Sequence, residues 1–166
     1  MLPSKQQLLV KYSQKMDRFF LNFCTSFGLG YISKFPGTLA SFTILIPLWF
    51  IIEKYYFFVI FTLICFSILS YFILEKVLVK LDNKDPSYII IDEYIGQTIA
   101  ILFCNQNITE FILAFILFRF FDINKPFPIN YFDAKKNAFG LIMDDFLAGF
   151  FSGFIIIFLK WILNLN

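Results

Sequence analysis

The chain has 166 residues, the length of one domain, and carries a formal net charge of +2. Hydrophobic residues make up 59% and charged residues 16%, against roughly 45–50% and about 25% in soluble domains; mean hydropathy is +0.74. An ordinary water-soluble core is therefore excluded, as is a strongly basic face, so no nucleic-acid partner is expected. There is no histidine, which removes phosphohistidine chemistry, imidazole bases and imidazole metal ligands.

In chain order, residues 1–27 form an N-terminal interfacial segment. Leu8, Leu9, Tyr12, Met16, Phe19 and Phe20 recur at helical spacing among Lys5, Lys11, Lys15 and Arg18, which predicts an amphipathic helix on a membrane surface; the plainer alternative is a disordered tail. It lacks the apolar run of a cleavable signal peptide. A first hydrophobic helix is predicted from Leu39 to Ile52, short and kinked at Pro47, followed by a Glu53-Lys54 turn. A second runs from Tyr55 to Leu74. The stretch Glu75 to Ser87 is polar, with Asp85-Pro86 as a turn. A third helix, Ile89 to Cys104, contains Asp92 and Glu93. A fourth is Ile108 to Phe121, then a polar loop from Asp122 to Gly140, then a fifth helix, Leu141 to Leu163, with Asp144-Asp145 near its start.

The fold class expected is an all-α membrane protein, one domain over residues 1–166, with about five hydrophobic helices, some short or kinked. With the N-terminus inside, twelve of the fourteen Lys and Arg residues fall on the inner side, and only Lys54 and Lys160 outside; this is the positive-inside pattern. Cys24, Cys65 and Cys104 are far apart in apolar settings and read as buried free thiols. None has an Arg six positions on, so a cysteine-phosphatase loop is absent.

Three acidic clusters fall at the inner ends of these helices: Asp85, Asp92 and Glu93; Asp122 and Asp133; Asp144 and Asp145. Carboxylates in apolar helices are costly, so they face a polar interior and mark function. Asp92, Glu93, Asp144 and Asp145 together make a hard-oxygen set suited to Mg²⁺ with waters and a phosphate. The plainer alternative for a single acid is a helix-tying ion pair with Lys84, Arg119 or Lys125. Gly96 with Ala100 and Gly149 with Gly153 form small-xxx-small pairs. Close packing of these two helices would bring Asp92 and Glu93 near Asp144 and Asp145.

The stretch Gly28–Ser41 (GLGYISKFPGTLAS) leads glycines, a proline, Thr38 and Ser41 into a helix start. Backbone N–H groups at such a start favour an anion, and Thr38 either caps the helix or meets a phosphate oxygen. In FRFFDINKP (118–126), Arg119, Asp122 and Lys125 are spaced by three, on one helix face. Arg119 offers a fork for phosphate and Lys125 a point charge; the alternative is that both snorkel to lipid headgroups.

Four segments, GLGYISKFPGTLAS (28–41), DPSYIIIDEYIG (85–96), FRFFDINKPFP (118–128) and GLIMDDFLAG (140–149), together resemble the phosphatidylglycerophosphatase A family. The resemblance implies a bacterial inner-membrane, multi-pass, Mg²⁺-dependent lipid phosphatase. It would remove the terminal phosphate of phosphatidylglycerophosphate, its membrane lipid substrate, at the cytoplasmic face. On this reading Asp92, Glu93, Asp144 and Asp145 handle metal and water. Arg119 and Lys125 hold the phosphate, and Asp122 orients those cations or acts as base. Gly30, Pro36, Gly37, Thr38 and Ser41 shape the phosphate loop, with Asp85, Gly96, Pro126 and Gly149 in support. Many members carry Gly-Gly where this chain has Asn137-Ala138.

The rivals are weaker. No Asp-Gly-x-x-Ala-Arg run of a CDP-alcohol phosphotransferase occurs, nor an Asp-x-Asp nucleophile motif of the haloacid-dehalogenase type. A non-enzymatic ion or proton carrier would spread its acids through the bilayer depth, and a structural subunit would leave three polar clusters without a joint purpose.

Overall fold

Residues 17–81 and 86–163 are described by a computed structural model, and among them the backbone closes into helices with no strand. Residues 17–24 are helical (α1), and a short 3₁₀ turn, Leu29–Tyr31, leads to α2 (Pro36–Ile51). Then follow α3 (Tyr56–Leu78), α4 (Ile91–Ile101), α5 (Ile108–Asn124), α6 (Ile129–Asp133) and α7 (Ala138–Leu163).

The ends of these helices follow local chemistry. α2 begins three residues before the expected start because Pro36 occupies its first turn, where the missing N–H costs nothing. Thr38 therefore lies inside the first turn, and the residue in the cap position is Phe35. Pro47 stays within the helix. Asn107 caps α5, its side chain accepting from the Thr109 N–H at 2.8 Å. Asn137 does the same for α7, accepting from the Gly140 N–H at 2.8 Å. The predicted polar loop 122–140 contains the short helix α6, held there by Ile129, which is fully buried.

Among the described residues two helices, α3 and α7, are long and apolar enough to cross a membrane by length and composition. The expected count of about five is not reached by that measure. α2 is apolar but has 16 residues. α4 has only 11, about 16 Å at 1.5 Å per residue. Of the N-terminal interfacial segment, residues 1–16 lie outside the described residues.

α4 is the central helix, packed against α2, α3, α5 and α7. Nine of its eleven residues are buried. One core cluster joins Cys24, Ile73, Leu74, Ile89, Ile91 and Ile95 to Leu141 and Ile142. A second joins Leu48, Ile101, Phe111, Ala114 and Phe118 to Ala148 and Ile156. The outward sides of α3 and α7 are instead bare aromatic and aliphatic surface, including Phe57, Phe58, Phe61, Phe72, Phe154, Phe158 and Trp161. Of the cysteines, Cys24 is buried and Cys104 half-buried, but Cys65 is exposed on the outer side of α3, contrary to expectation.

The glycine contact between α4 and α7 is as the small-residue spacing predicts. A Cβ on Gly149 would overlap the Gly96 carbonyl, and one on Gly96 would overlap the Phe118 ring and come within 2.6 Å of the Asp145 carbonyl oxygen. Backbone meets backbone here, as small residues allow. At the far end Lys160 of α7 pairs with Glu110 of α5 at 3.2 Å, which ties these two helices there.

Candidate active site

Asp92 and Glu93 lie in the first turn of α4. That turn is fixed by the Ile90 N–H, which donates to the Cys24 carbonyl at 3.0 Å. Asp145 lies two turns into α7, next to the Gly96 contact. The helix crossing brings one oxygen each of Asp92, Glu93 and Asp145 within 4.8 Å of one another. Asp92 and Asp145 are buried, at 7% and 4% exposure. Glu93 Oε2 is sealed from solvent and has no hydrogen-bond partner. Three close carboxylates with an orphaned buried oxygen fit a hard divalent cation. Without a cation or a proton their charges would repel.

Asp144 lies outside this group of three. Neighbouring residues on a helix point about 100° apart, so while Asp145 faces α4, Asp144 faces the end of α5. Its Oδ2 accepts from Lys125 Nζ at 2.7 Å, and its Oδ1 accepts from the Asp145 N–H at 3.0 Å. Both oxygens are engaged in holding neighbours. Lys125 ends α5 in the left-handed conformation, φ 44° and ψ 58°, a position usually given to glycine. Its Nζ also reaches Asp133 Oδ1 at 2.5 Å, so one ammonium ties α5, α6 and α7 together. Burial works against that charge, but Asp144 and Asp133 outweigh it and hold the Lys125 pKa well above the usual range. Asp133 is the converse: its partial burial is overcome by Lys125 and Lys136, which hold its carboxyl below the usual range. Pro126 follows, its carbonyl accepting from the Ile129 N–H at 2.7 Å to start α6.

Arg119 and Asp122 share one face of α5, as their spacing predicts, with Nη1 2.5 Å from Oδ2. Both side chains are largely covered, and Arg119 Nε has no hydrogen-bond partner. The start of α2 closes this side. A Cβ on Gly37 would overlap Glu93 Oε1 and lie 3.1 Å from Arg119 Nη1. Gly37 is thus the point where the glycine-rich stretch meets the acids and the arginine. Pro36 and Thr38 flank it, both half-buried.

The rest of that stretch is placed elsewhere. Gly30 packs so tightly on the Tyr88 backbone that a Cβ would overlap the carbonyl. Ser41 is fully buried, its hydroxyl donating to the Gly37 carbonyl at 2.8 Å. Asp85 lies outside the described residues.

The model of the family described as phosphatidylglycerophosphatase A matches residues 22–160. The chain belongs to the phosphatidylglycerophosphatase A family. Among its relatives, phosphatidylglycerophosphatase A of Haemophilus influenzae is 38% identical, over 81% of this chain and 85% of that protein. The Escherichia coli K12 protein of the same name is 30% identical, over 80% and 78%. A Bacteroides thetaiotaomicron protein with the provisional name phosphatidylinositol-3-phosphatase is 32% identical, over 84% and 92%. No solved structure matches the chain. Asn137, in the stretch where the sequence departs from the family pattern, supplies the cap of α7.

Sequence reasoning missed two features of the site's surroundings. Gln97 follows Glu93 by one helical turn, fully buried, with neither end of its amide paired. A polar residue at i+4 from a buried acid was the available signal. Tyr94 joins α4 to the 3₁₀ approach and to α2: its hydroxyl donates to Ser26 Oγ at 3.1 Å and lies 3.4 Å from Thr43 Oγ1. Nothing in the spacing of these three residues announces that contact.

Proposed function

We propose that this chain is a Mg²⁺-dependent lipid phosphatase that hydrolyses the terminal phosphate of phosphatidylglycerophosphate, giving phosphatidylglycerol and phosphate in anionic phospholipid synthesis. Family membership supports the phosphatidylglycerophosphate phosphatase activity. The observation that carries the chemistry is the meeting of Asp92, Glu93 and Asp145 beside Gly37 and Arg119.

A phosphomonoester dianion needs charge neutralisation and a positioned nucleophile. Asp92, Glu93 and Asp145 are the residues that would hold Mg²⁺. The chemistry such a cation supplies when bound is neutralisation of phosphoryl charge and acidification of a water. Arg119 grips the phosphate through its free Nε edge, and Asp122 keeps the guanidinium plane in place. The N–H groups of Gly37 and Thr38, at the start of α2 where no intrahelical acceptor exists, receive further phosphate oxygens. Lys125 contributes its charge while engaged with Asp133 and Asp144, and Asp144 keeps that ammonium beside the site. A carboxylate oxygen of Asp92, Glu93 or Asp145 left free of the cation would take the proton from the attacking water as the P–O bond to glycerol breaks, and return it to the leaving glycerol oxygen.

The bare apolar sides of α3 and α7 support a bilayer setting; the positive-inside pattern and the family resemblance carry the further reading of the bacterial inner membrane, several passes and the acids at the cytoplasmic face. The lipid's acyl chains then stay in the leaflet while its headgroup meets the start of α2.

The test is phosphate release by the purified chain in detergent from phosphatidylglycerophosphate, phosphatidate and phosphatidylinositol 3-phosphate, with Mg²⁺ and with excess chelator. Release from the first lipid that stops with chelator is expected. Undiminished release in chelator would remove the metal assignment, and preference for the inositol lipid would reassign the headgroup. Arg119→Lys is expected to lower kcat/KM roughly tenfold to a hundredfold, because a point charge replaces a fork at a charged hydrogen bond. Wild-type kinetics in that variant would return Arg119 to a lipid-headgroup contact.

A further inference from the structure

The buried amide of Gln97 has no account in the site as described. Both its Oε1 and its Nε2 lack partners, and the side chain has no solvent exposure. An amide sealed in this way weakens the fold, since its lost water hydrogen bonds are not replaced. A leucine or methionine of similar volume would fill the space without that penalty. One turn earlier on the same helix, Glu93 Oε2 is also sealed and unpaired. The two residues are spaced i, i+4, the spacing at which helical side chains meet. An unpaired N–H donor and an unpaired carboxylate acceptor are therefore stacked on one face of α4. Glu93's other oxygen, Oε1, is the one against Gly37.

We propose that Gln97 is a positioning residue for Glu93. Its Nε2 donates to Glu93 Oε2, directly after a side-chain rotation or across one water. This turns Oε1 toward Asp92, Asp145 and the phosphate side. The inference rests on the cation-binding reading of the three carboxylates. Gln97 would act as the second layer of that site, where partners of a ligating carboxylate fix its orientation.

The experiment uses the purified full chain in detergent, with Gln97→Leu and, in case that variant folds poorly, Gln97→Met. Three quantities are read: the melting temperature in chelator, the dissociation constant for Mn²⁺ by titration, and kcat and KM for phosphatidylglycerophosphate. The expected result is an unchanged or raised melting temperature, Mn²⁺ binding weakened about 10- to 100-fold, and a loss carried by kcat with KM little altered. A lowered melting temperature with Mn²⁺ affinity and kcat at wild-type values would make Gln97 a packing residue and overturn the proposal. Failure of the wild-type chain itself to bind Mn²⁺ would overturn the cation reading, and this inference with it.

Discussion

Asp145→Asn is expected to lower phosphate release from phosphatidylglycerophosphate by about a thousandfold or more, since a catalytic cation supplies several kcal/mol and each 1.36 kcal/mol is tenfold. Asp92→Asn should do the same. The substitution is nearly isosteric and leaves unchanged the Asp145 backbone carbonyl that packs beside Gly96. Membrane insertion and helix content should therefore persist. The cation-free protein should in fact become more stable, because one of three mutually repelling buried carboxylates is gone. For a chain of this size the melting temperature rises by about 2–4 °C for each kcal/mol relieved. A decade or less of lost activity in both variants, with Mn²⁺ binding intact, would remove the two aspartates from the cation set.

The second large effect concerns the α4–α7 contact. A Cβ on Gly149 would overlap the carbonyl oxygen of Gly96, which is backbone and cannot rotate aside. Gly149→Ala is expected to cost about 1–3 kcal/mol by overpacking, and Gly149→Val more. Activity should fall further than stability, because pushing α7 away separates Asp145 from Asp92 and Glu93, and a displacement of about 1 Å can cost roughly a hundredfold in rate. Gly153→Ala is the comparison. Its Cβ would overlap the ring of Phe103, a side chain in the turn after α4 that can swing away. If Gly149→Ala and Gly153→Ala were equally mild in melting temperature and turnover, the close crossing of the two helices would be refuted.

Much of this site is legible in the sequence. The spacing of Gly96 and Ala100 against Gly149 and Gly153 announced the helix pair, and the i, i+3 spacing of Arg119 and Asp122 announced their ion pair. The roles of Asp144 and Asp145 could not be separated in the same way. Identical neighbours diverge only once the direction in which α7 packs is known, and then Asp144 belongs to Lys125 while Asp145 belongs to the acid group. Lys125 was equally opaque, because its reach toward both Asp133 and Asp144 depends on a left-handed backbone that no lysine announces. Ser41 and Thr38 share a glycine-rich approach in sequence. The helix start at Pro36 sends the Ser41 hydroxyl to a backbone carbonyl and leaves Thr38 near Gly37. The count of spans is not confirmed for a different reason: apolar composition does not report length, and α4 carries its polar residues on a helix packed against four others.

Sixteen of the 26 phenylalanines are exposed, and only Phe111 and Phe118 are fully enclosed. A wall that meets hydrocarbon asks of each residue only that it be apolar, so one aliphatic or aromatic side chain serves there as well as another. Inside the bundle the opposite holds: Phe118 lies against Gly96, at the crossing that brings the carboxylates together, and its shape is under the same constraint as the glycine it touches.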